Sequence, residues 1–255
     1  MTESHGFHKT VSIGALAFLY APIVILMIFS FNASKIGVSW EGFTWHWYGR
    51  LMGDPELWLA TRNSLVVGMV STGVAIVLGL GMAVIMERMV FRGKQVLDGV
   101  LLLPLVIPEV MLGVALLLCF VMVQWPLGLA TVTIGHVVFN LPLVTIVIRA
   151  RLRKIDPVWE EAAQDLGATP LQAFTRITLP LLRPAILGAG LMAFTLSLDD
   201  FVVTFFTTGP GATTLPLHVF SMMRTGVSPA INALSAILVS LSMLLIAISL
   251  LFQRK

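Results

Sequence analysis

Three carboxylates lie within long apolar stretches of the chain: Glu109, Asp199 and Asp200. An Asp near the centre of a membrane helix costs about 2.5 to 3.5 kcal/mol on insertion scales, so an acid at such a position is expected to face a cavity or a partner. No Lys or Arg lies deep within the same stretches to pair with them. We therefore expect an acidic site that attracts cations.

Helical spacing puts Ser197, Asp200 and Thr204 on one stripe, with Asp199 at its edge. A carboxylate with two hydroxyls suits an ammonium group, because that cation donates hydrogen bonds in several directions. Glu109 lies beside prolines, which interrupt a regular helix and leave backbone carbonyls as further acceptors. We predict that these side chains line a substrate path. A structural hydrogen bond to a neighbouring helix is the alternative for each acid.

Trp47 is a further candidate for the path, because a ring face attracts cations, and anchoring at the membrane interface is its alternative role. His136 and His218 stand singly in apolar or irregular surroundings, so we interpret both as structural residues and predict no metal site. Cys119 is the only cysteine, which excludes a disulfide within these residues and favours packing in the core. No catalytic residue is predicted.

An intramembrane aspartyl enzyme is the alternative from another class. Its two carboxylates must approach to about 3 Å to share a proton, whereas adjacent helical residues such as Asp199 and Asp200 diverge. Glu109 would have to supply the second acid. Cation transport is therefore the favoured chemistry.

The composition indicates which environment positions these residues. Only 11% of the 255 residues are charged and 57% are hydrophobic, and the mean hydropathy is +0.94, whereas soluble domains are about 25% charged. So little charge cannot cover a surface in water. This excludes a cytosolic enzyme, a disordered tail and a nucleic-acid-binding domain, despite a pI of about 9.4. We predict an all-α polytopic protein in a lipid bilayer.

Six runs are apolar over the roughly 20 residues that a helix needs to cross a bilayer core. They are residues 11–31, 64–86, 100–123, 127–148, 182–206 and 233–252. Most Lys and Arg fall in the termini and in alternate loops, and such residues favour the cytoplasmic side. We therefore predict six transmembrane helices with cytoplasmic N- and C-termini, and treat residues 1–255 as a single transmembrane domain.

The cytoplasmic loop 156–180, DPVWEEAAQDLGATPLQAFTRITLP, predicts two short helices that meet at Gly167. An Asp-Pro pair is typical of a helix start, and a glycine of a helix end. A Thr-Pro pair then starts the second helix, where a Gln completes a capping box. The last proline of the loop is expected to end it. Two capped helices are suited to transmitting force, although an amphipathic helix lying on the membrane is the alternative.

This loop resembles the EAA motif of binding-protein-dependent ABC importer permeases. The matching positions are Glu161-Ala162-Ala163, Gly167 after three residues, and Ile177-x-Leu179-Pro180 after nine more. The resemblance implies a type I importer permease fold, with a coupling helix that docks in a cleft of a separate ATPase subunit and with residues 168–174 at the docking tip. The coupling residues that it implies are Glu160, Glu161, Ala162, Ala163, Gly167, Ala168, Thr169, Pro170 and Phe174.

The sequence contains no nucleotide-binding P-loop. The only Gly-Lys pair, Gly93-Lys94, is not followed by Ser or Thr and lacks the earlier glycine of that motif. We therefore expect no cofactor on this chain. ATP and Mg are expected on partner ATPase subunits.

Other segments are similar to spermidine/putrescine permeases: residues 30–34 (SFNAS), 194–200 (FTLSLDD), 209–211 (GPG) and 226–229 (GVSP). Glu109 stands where that subfamily is expected to have Asp. The resemblance implies import of polyamines across the bacterial cytoplasmic (inner) membrane. It also implies a second homologous permease subunit, two ATPase subunits and a periplasmic or other extracytoplasmic polyamine-binding protein. The alternatives are the same scaffold for ferric iron, sulfate or an amino acid, and an ion channel, which would have no use for a coupling loop.

Overall fold

The computed structural model describes residues 3–34, 39–224 and 229–253. Within these ranges the chain is almost entirely helical, and its only β-pairing is an isolated bridge between Asn32 and Phe43. The all-α prediction is therefore confirmed. The helices in chain order are α1 (Glu3–Phe29), α2 (His46–Met52), α3 (Pro55–Arg88), α4 (Lys94–Val106), α5 (Glu109–Met122), α6 (Leu129–Leu152), α7 (Val158–Asp165), α8 (Pro170–Ala173), α9 (Leu179–Asp199), α10 (Val202–Thr207), α11 (Leu215–Arg224) and α12 (Pro229–Gln253).

Four of the described helical stretches are long and apolar enough to cross a membrane: Val11–Phe29, Pro55–Arg88, Leu129–Leu152 and Pro170–Asp199. The predicted run 100–123 is instead a pair of helices, α4 and α5, that bend by 110° at a short break. Pro108 lies in this break and cannot donate a backbone hydrogen bond. The last predicted run falls within α12. The count of six spans and the orientation of the termini stay predictions.

The predicted run 182–206 is not one helix. Helix α9 ends at Asp199, Asp200 has an extended backbone with φ −66° and ψ 123°, and α10 begins at Val202. The carboxylate of Asp200 accepts hydrogen bonds from the backbone N–H groups of Val203 at 3.2 Å and Thr204 at 2.8 Å. The side chain thus satisfies donors that a helix start leaves unpaired, which stabilises the break.

The prediction that Pro180 ends the second loop helix is wrong. A π-helical turn, Phe174–Thr178, follows α8 and leads directly into α9, where Pro180 occupies the first turn. The N–H of Leu179 donates to the carbonyl of Phe174, five residues back. Proline is tolerated in a first turn because its missing N–H is not needed there. The loop is therefore joined to the membrane helix without an interruption.

Residues 58–218 form one compact unit of the chain. Its apolar core is built from α3, α6 and α9, with small side chains such as Ala75, Ala189 and Ala193 beside Val144 and Ile148. Small residues let membrane helices approach closely. Cys119 does not belong to this core, because it lies exposed on α5. The prediction of core packing failed here, since a helix that is apolar all round gives no sign of which face is inside.

The second unit consists of residues 1–57 and 219–255. In it, Phe31 stacks on Phe43 with ring centroids 5.2 Å apart, and it packs edge-on against Trp45 at 4.9 Å. The hydroxyl groups of Ser30 and Tyr48 lie 2.7 Å apart. The aromatic residues after α1 therefore pack on one another.

Candidate functional site

The predicted acids meet at a cavity of about 340 Å³ between two interrupted helices. The α4/α5 bend contributes Glu109, and the α9/α10 break contributes Asp199 and Asp200. Phe139 of α6 forms part of the apolar lining. The side chains of Glu109 and Asp199 are exposed. The structure thus brings together three carboxylates that lie up to 91 positions apart in the sequence.

Asp200 differs from the other two acids in being almost fully buried, with 7% of its side chain exposed. Besides the two backbone bonds that cap α10, its Oδ2 accepts a hydrogen bond from Thr204 Oγ1 at 2.8 Å and lies 3.2 Å from His136 Nε2. Although no Lys or Arg lies deep within the apolar runs, Asp200 therefore has a polar partner in the ring of His136.

His136 lies at the centre of this polar cluster. Its Nδ1 is 2.6 Å from Ser197 Oγ, its Nε2 is 2.9 Å from Thr204 Oγ1, and its side chain is 1% exposed. Ser197, Asp200 and Thr204 do converge, as the stripe predicted. They converge around an imidazole at a helix break, however, and not along a continuous helix face.

One signal in the sequence pointed to His136. A polar ring in the middle of an apolar run must find hydrogen-bond partners, because an unpaired polar group in lipid costs several kcal/mol. The acids and hydroxyls of the 182–206 run are the obvious partners. Among the described residues, no three His, Cys, Asp or Glu side chains come together in a way that could hold a metal ion.

Trp47 lies in the other unit of the chain, where it is 5% exposed. Its indole Nε1 donates a hydrogen bond to the backbone carbonyl of Asn32 at 2.8 Å. This ring, a candidate for the path, is therefore buried and hydrogen-bonded to the backbone that follows α1. The neighbouring Trp45 is 62% exposed and is better placed to reach an interface.

The loop 156–180 has the predicted helix caps. Asp156 Oδ1 accepts from the N–H of Val158 at 3.0 Å at the start of α7. Gly167 has φ +91°, a left-handed conformation suited to glycine, and the N–H of Ala168 donates to the Ala163 carbonyl at 3.0 Å. The exchange of bonds between Thr169 and Gln172 completes the capping box at the start of α8. This loop is therefore a well-defined element.

The α7–α8 corner exposes apolar side chains. Leu166 is 90% and Leu171 is 71% exposed, on either side of Gly167. Glu161, Ala162, Thr169 and Pro170 are exposed, while Ala163, Ala168 and Phe174 are half-buried. Large exposed apolar residues grouped in this way mark an interaction surface.

Glu160 connects this corner to the long helices. Its carboxylate forms an ion pair with Arg88 at the end of α3, at 3.2 Å, and accepts a hydrogen bond from Thr178 just before α9. Nearby, Glu87 pairs with Arg149 at 2.8 Å and with Arg153 at 2.9 Å. Hydrogen bonding to Glu87 raises the pKa of Arg153 above its ordinary value. The ends of α3 and α6 and the start of α9 are therefore linked by charged and polar side chains.

Long apolar helices, an acidic cavity between interrupted spans and a rigid exposed corner together define a multi-pass membrane permease. Residues 75–255 match the family described as "Binding-protein-dependent transport system inner membrane component". The chain belongs to this family, which confirms the resemblance seen in the EAA loop.

Several relatives are similar over most of their length. The putrescine transport system permease protein PotI of Escherichia coli (strain K12) is 46% identical over 228 residues, covering 87% of this chain and 81% of PotI. The spermidine/putrescine transport system permease protein PotC of Haemophilus influenzae is 41% identical over 239 residues, covering 94% and 93%. PotC of Escherichia coli (strain K12) is 40% identical over 238 residues, covering 93% and 90%.

Two solved structures show the same fold. A bacterial ABC transporter involved in the import of the acidic polysaccharide alginate matches with a TM-score of 0.73 at 17% identity, covering 99% of this chain and 96% of that one. The MetNI methionine ABC transporter matches with a TM-score of 0.60 at 17% identity, covering 76% and 90%. At these identities the likeness concerns the fold alone.

Proposed function

We propose that the chain is the membrane-spanning permease subunit of an ATP-driven polyamine importer, and that it forms half of the translocation path for putrescine or spermidine. The observation that carries this proposal is the convergence of Glu109, Asp199 and Asp200 on one cavity at two helix breaks. The printed names of the relatives, which are putrescine and spermidine/putrescine permeases, support the choice of substrate.

Two exposed carboxylates at one cavity suit a substrate with more than one ammonium group. Each carboxylate offers two acceptor oxygens, and each ammonium group offers three donors. The broken helices add backbone carbonyls that lack a helical partner. Anionic substrates are disfavoured, because the cavity presents like charge to them.

We further infer the partners from the shape of the α7–α8 corner. The exposed Leu166 and Leu171 are proposed to dock into one of two ATPase subunits, which bind ATP and Mg. Movement of the corner would reach α3 and α9 through Glu160. A second homologous permease, a periplasmic polyamine-binding protein and the bacterial inner membrane complete the proposed assembly.

Charge removal at the cavity tests the substrate path. In vesicles containing the full complex, Asp199→Asn and Glu109→Gln should each raise the KM for putrescine uptake about tenfold or more, because each removes a charged acceptor. Glu56→Gln is the matched control, since this exposed acid in the first turn of α3 does not line the cavity.

Unchanged uptake by both variants, in fully assembled complexes, would remove these acids from the path. If the wild-type complex transports ferric iron or an amino acid and no amine, the chain is still an importer permease, but the proposed substrate is wrong.

A further inference from the structure

His136 is a buried titratable side chain to which the proposed transport step assigns no role. It lies on α6, opposite the break between α9 and α10, and both ring nitrogens have polar neighbours within 3.2 Å. It faces one charged group, Asp200, and the hydroxyls of Ser197 and Thr204. A buried histidine with this set of partners fixes the positions of the groups around it.

The distances assign the hydrogen on Nε2. Thr204 Oγ1 donates to Asp200 Oδ2, so the same hydroxyl can only accept from His136 Nε2. The Asp200 carboxylate is likewise an acceptor for that N–H. Nε2 is therefore a donor, and its hydrogen is directed at the pair formed by Asp200 and Thr204.

The other ring nitrogen faces a hydroxyl that accommodates either protonation state. Ser197 Oγ donates to Nδ1 when the ring is neutral and accepts from it when the ring is charged. Ser197 Oγ also lies 3.3 Å from Ser71 Oγ, which in turn donates to the Gly68 carbonyl at 3.3 Å. The cluster thus extends from α10 through α6 and α9 to α3.

We propose that His136 is a positioning residue for the acidic cavity. By holding Asp200 and Thr204, it commits Asp200 to capping α10 and keeps the α9/α10 break in place. The cation is then bound by Asp199 and Glu109, whose side chains are exposed. The proposal rests on the proposed function of the cavity as a cation site.

Two substitutions of His136 distinguish the roles of its two ring nitrogens. In His136→Gln the amide reaches the position of Nε2 and can still donate to Asp200, whereas in His136→Asn the shorter side chain reaches Ser197 and loses Asp200. We expect the Gln variant to keep a wild-type KM for putrescine and the Asn variant to raise it about tenfold, as for one lost hydrogen bond to a charged group. His46→Gln, at an exposed histidine, is the control.

A second readout does not depend on the substrate. In the complete complex in lipid nanodiscs, hydrogen exchange at the backbone amides of residues 202–207 should accelerate about tenfold in His136→Asn but not in His136→Gln, because only the former frees the cap. A double-mutant cycle tests whether His136 acts through Asp200. In an Asp200→Asn background, His136→Asn should produce little further change in KM or in hydrogen exchange.

Equal losses in the Gln and Asn variants, additive effects in the cycle, or unaltered exchange in the Asn variant would each overturn the role of His136. If the wild-type complex does not import amines, the proposed function fails, and the exchange data alone decide whether His136 positions Asp200.

Discussion

At the residue scale, Asp199 and Asp200 are neighbours in sequence with opposite surroundings. The side chain of Asp200 is only 7% exposed and accepts hydrogen bonds from two backbone N–H groups and a threonine hydroxyl, with a histidine at 3.2 Å. Asp199 is exposed at the cavity. One acid therefore maintains the local backbone, and the other is available to a cation.

Gly167 lies at the turn of the α7–α8 corner. Its φ of +91° disfavours a side chain, although a Cβ there would meet nothing within 4 Å. Gly167→Ala should therefore destabilise the corner by about 1 to 2 kcal/mol through backbone conformation alone. Gly167→Asn should cost less, because Asn tolerates the left-handed region. The amount of ATPase that co-purifies with the permease measures both.

The Ala variant should retain several-fold less ATPase than the Asn variant. If Asn is as damaging as Ala, or worse, side-chain volume at the docking surface matters more than the backbone.

At the element scale, the two helix breaks determine the site. The sequence allowed prediction of the break near Glu109, because Pro108 cannot continue a helix. It did not allow prediction of the break at Asp200, since the segment has apolar helix-compatible residues on both sides and the interruption depends on Asp200, Thr204 and the distant His136. The caps of α7 and α8 were predictable because they use neighbouring residues. For His136, the sequence indicated only that a histidine in an apolar run needs a polar partner; which partner it contacts depends on how α6, α9 and α10 pack.

The ion pair of Glu160 and Arg88 links α7 to the end of α3. If it transmits movement from the coupling corner to α3, Glu160→Arg and Arg88→Glu should each reduce the transport obtained per ATP hydrolysed, because each places like charges together. The double swap, Glu160→Arg with Arg88→Glu, should recover most of it. Parallel assays of amine uptake and phosphate release in vesicles measure this ratio.

Failure of the double swap to recover any coupling, with the complex intact, would show that Glu160 acts through another partner. Val90→Ser is the control, since this side chain is 98% exposed and lies outside the corner.

At the scale of the whole molecule, the acidic cavity and the exposed α7–α8 corner lie within the same unit, residues 58–218. The core of α3, α6 and α9 lies in the same unit, and Glu160 contacts Arg88 at the end of α3 and Thr178 just before α9. Packed helices of this kind can couple two sites energetically, provided that each site shifts the equilibrium of the same element between two conformations. The proposed moving elements are α3 and α9.

The most direct test is ATP hydrolysis by the purified complete complex in nanodiscs, with its binding protein added free or loaded with putrescine, spermidine, ferric iron or an amino acid. Amine-loaded binding protein is predicted to stimulate hydrolysis well above the free protein, and Gly167→Ala to weaken that response. Stimulation by another solute alone, or no response to any amine, would contradict a polyamine importer.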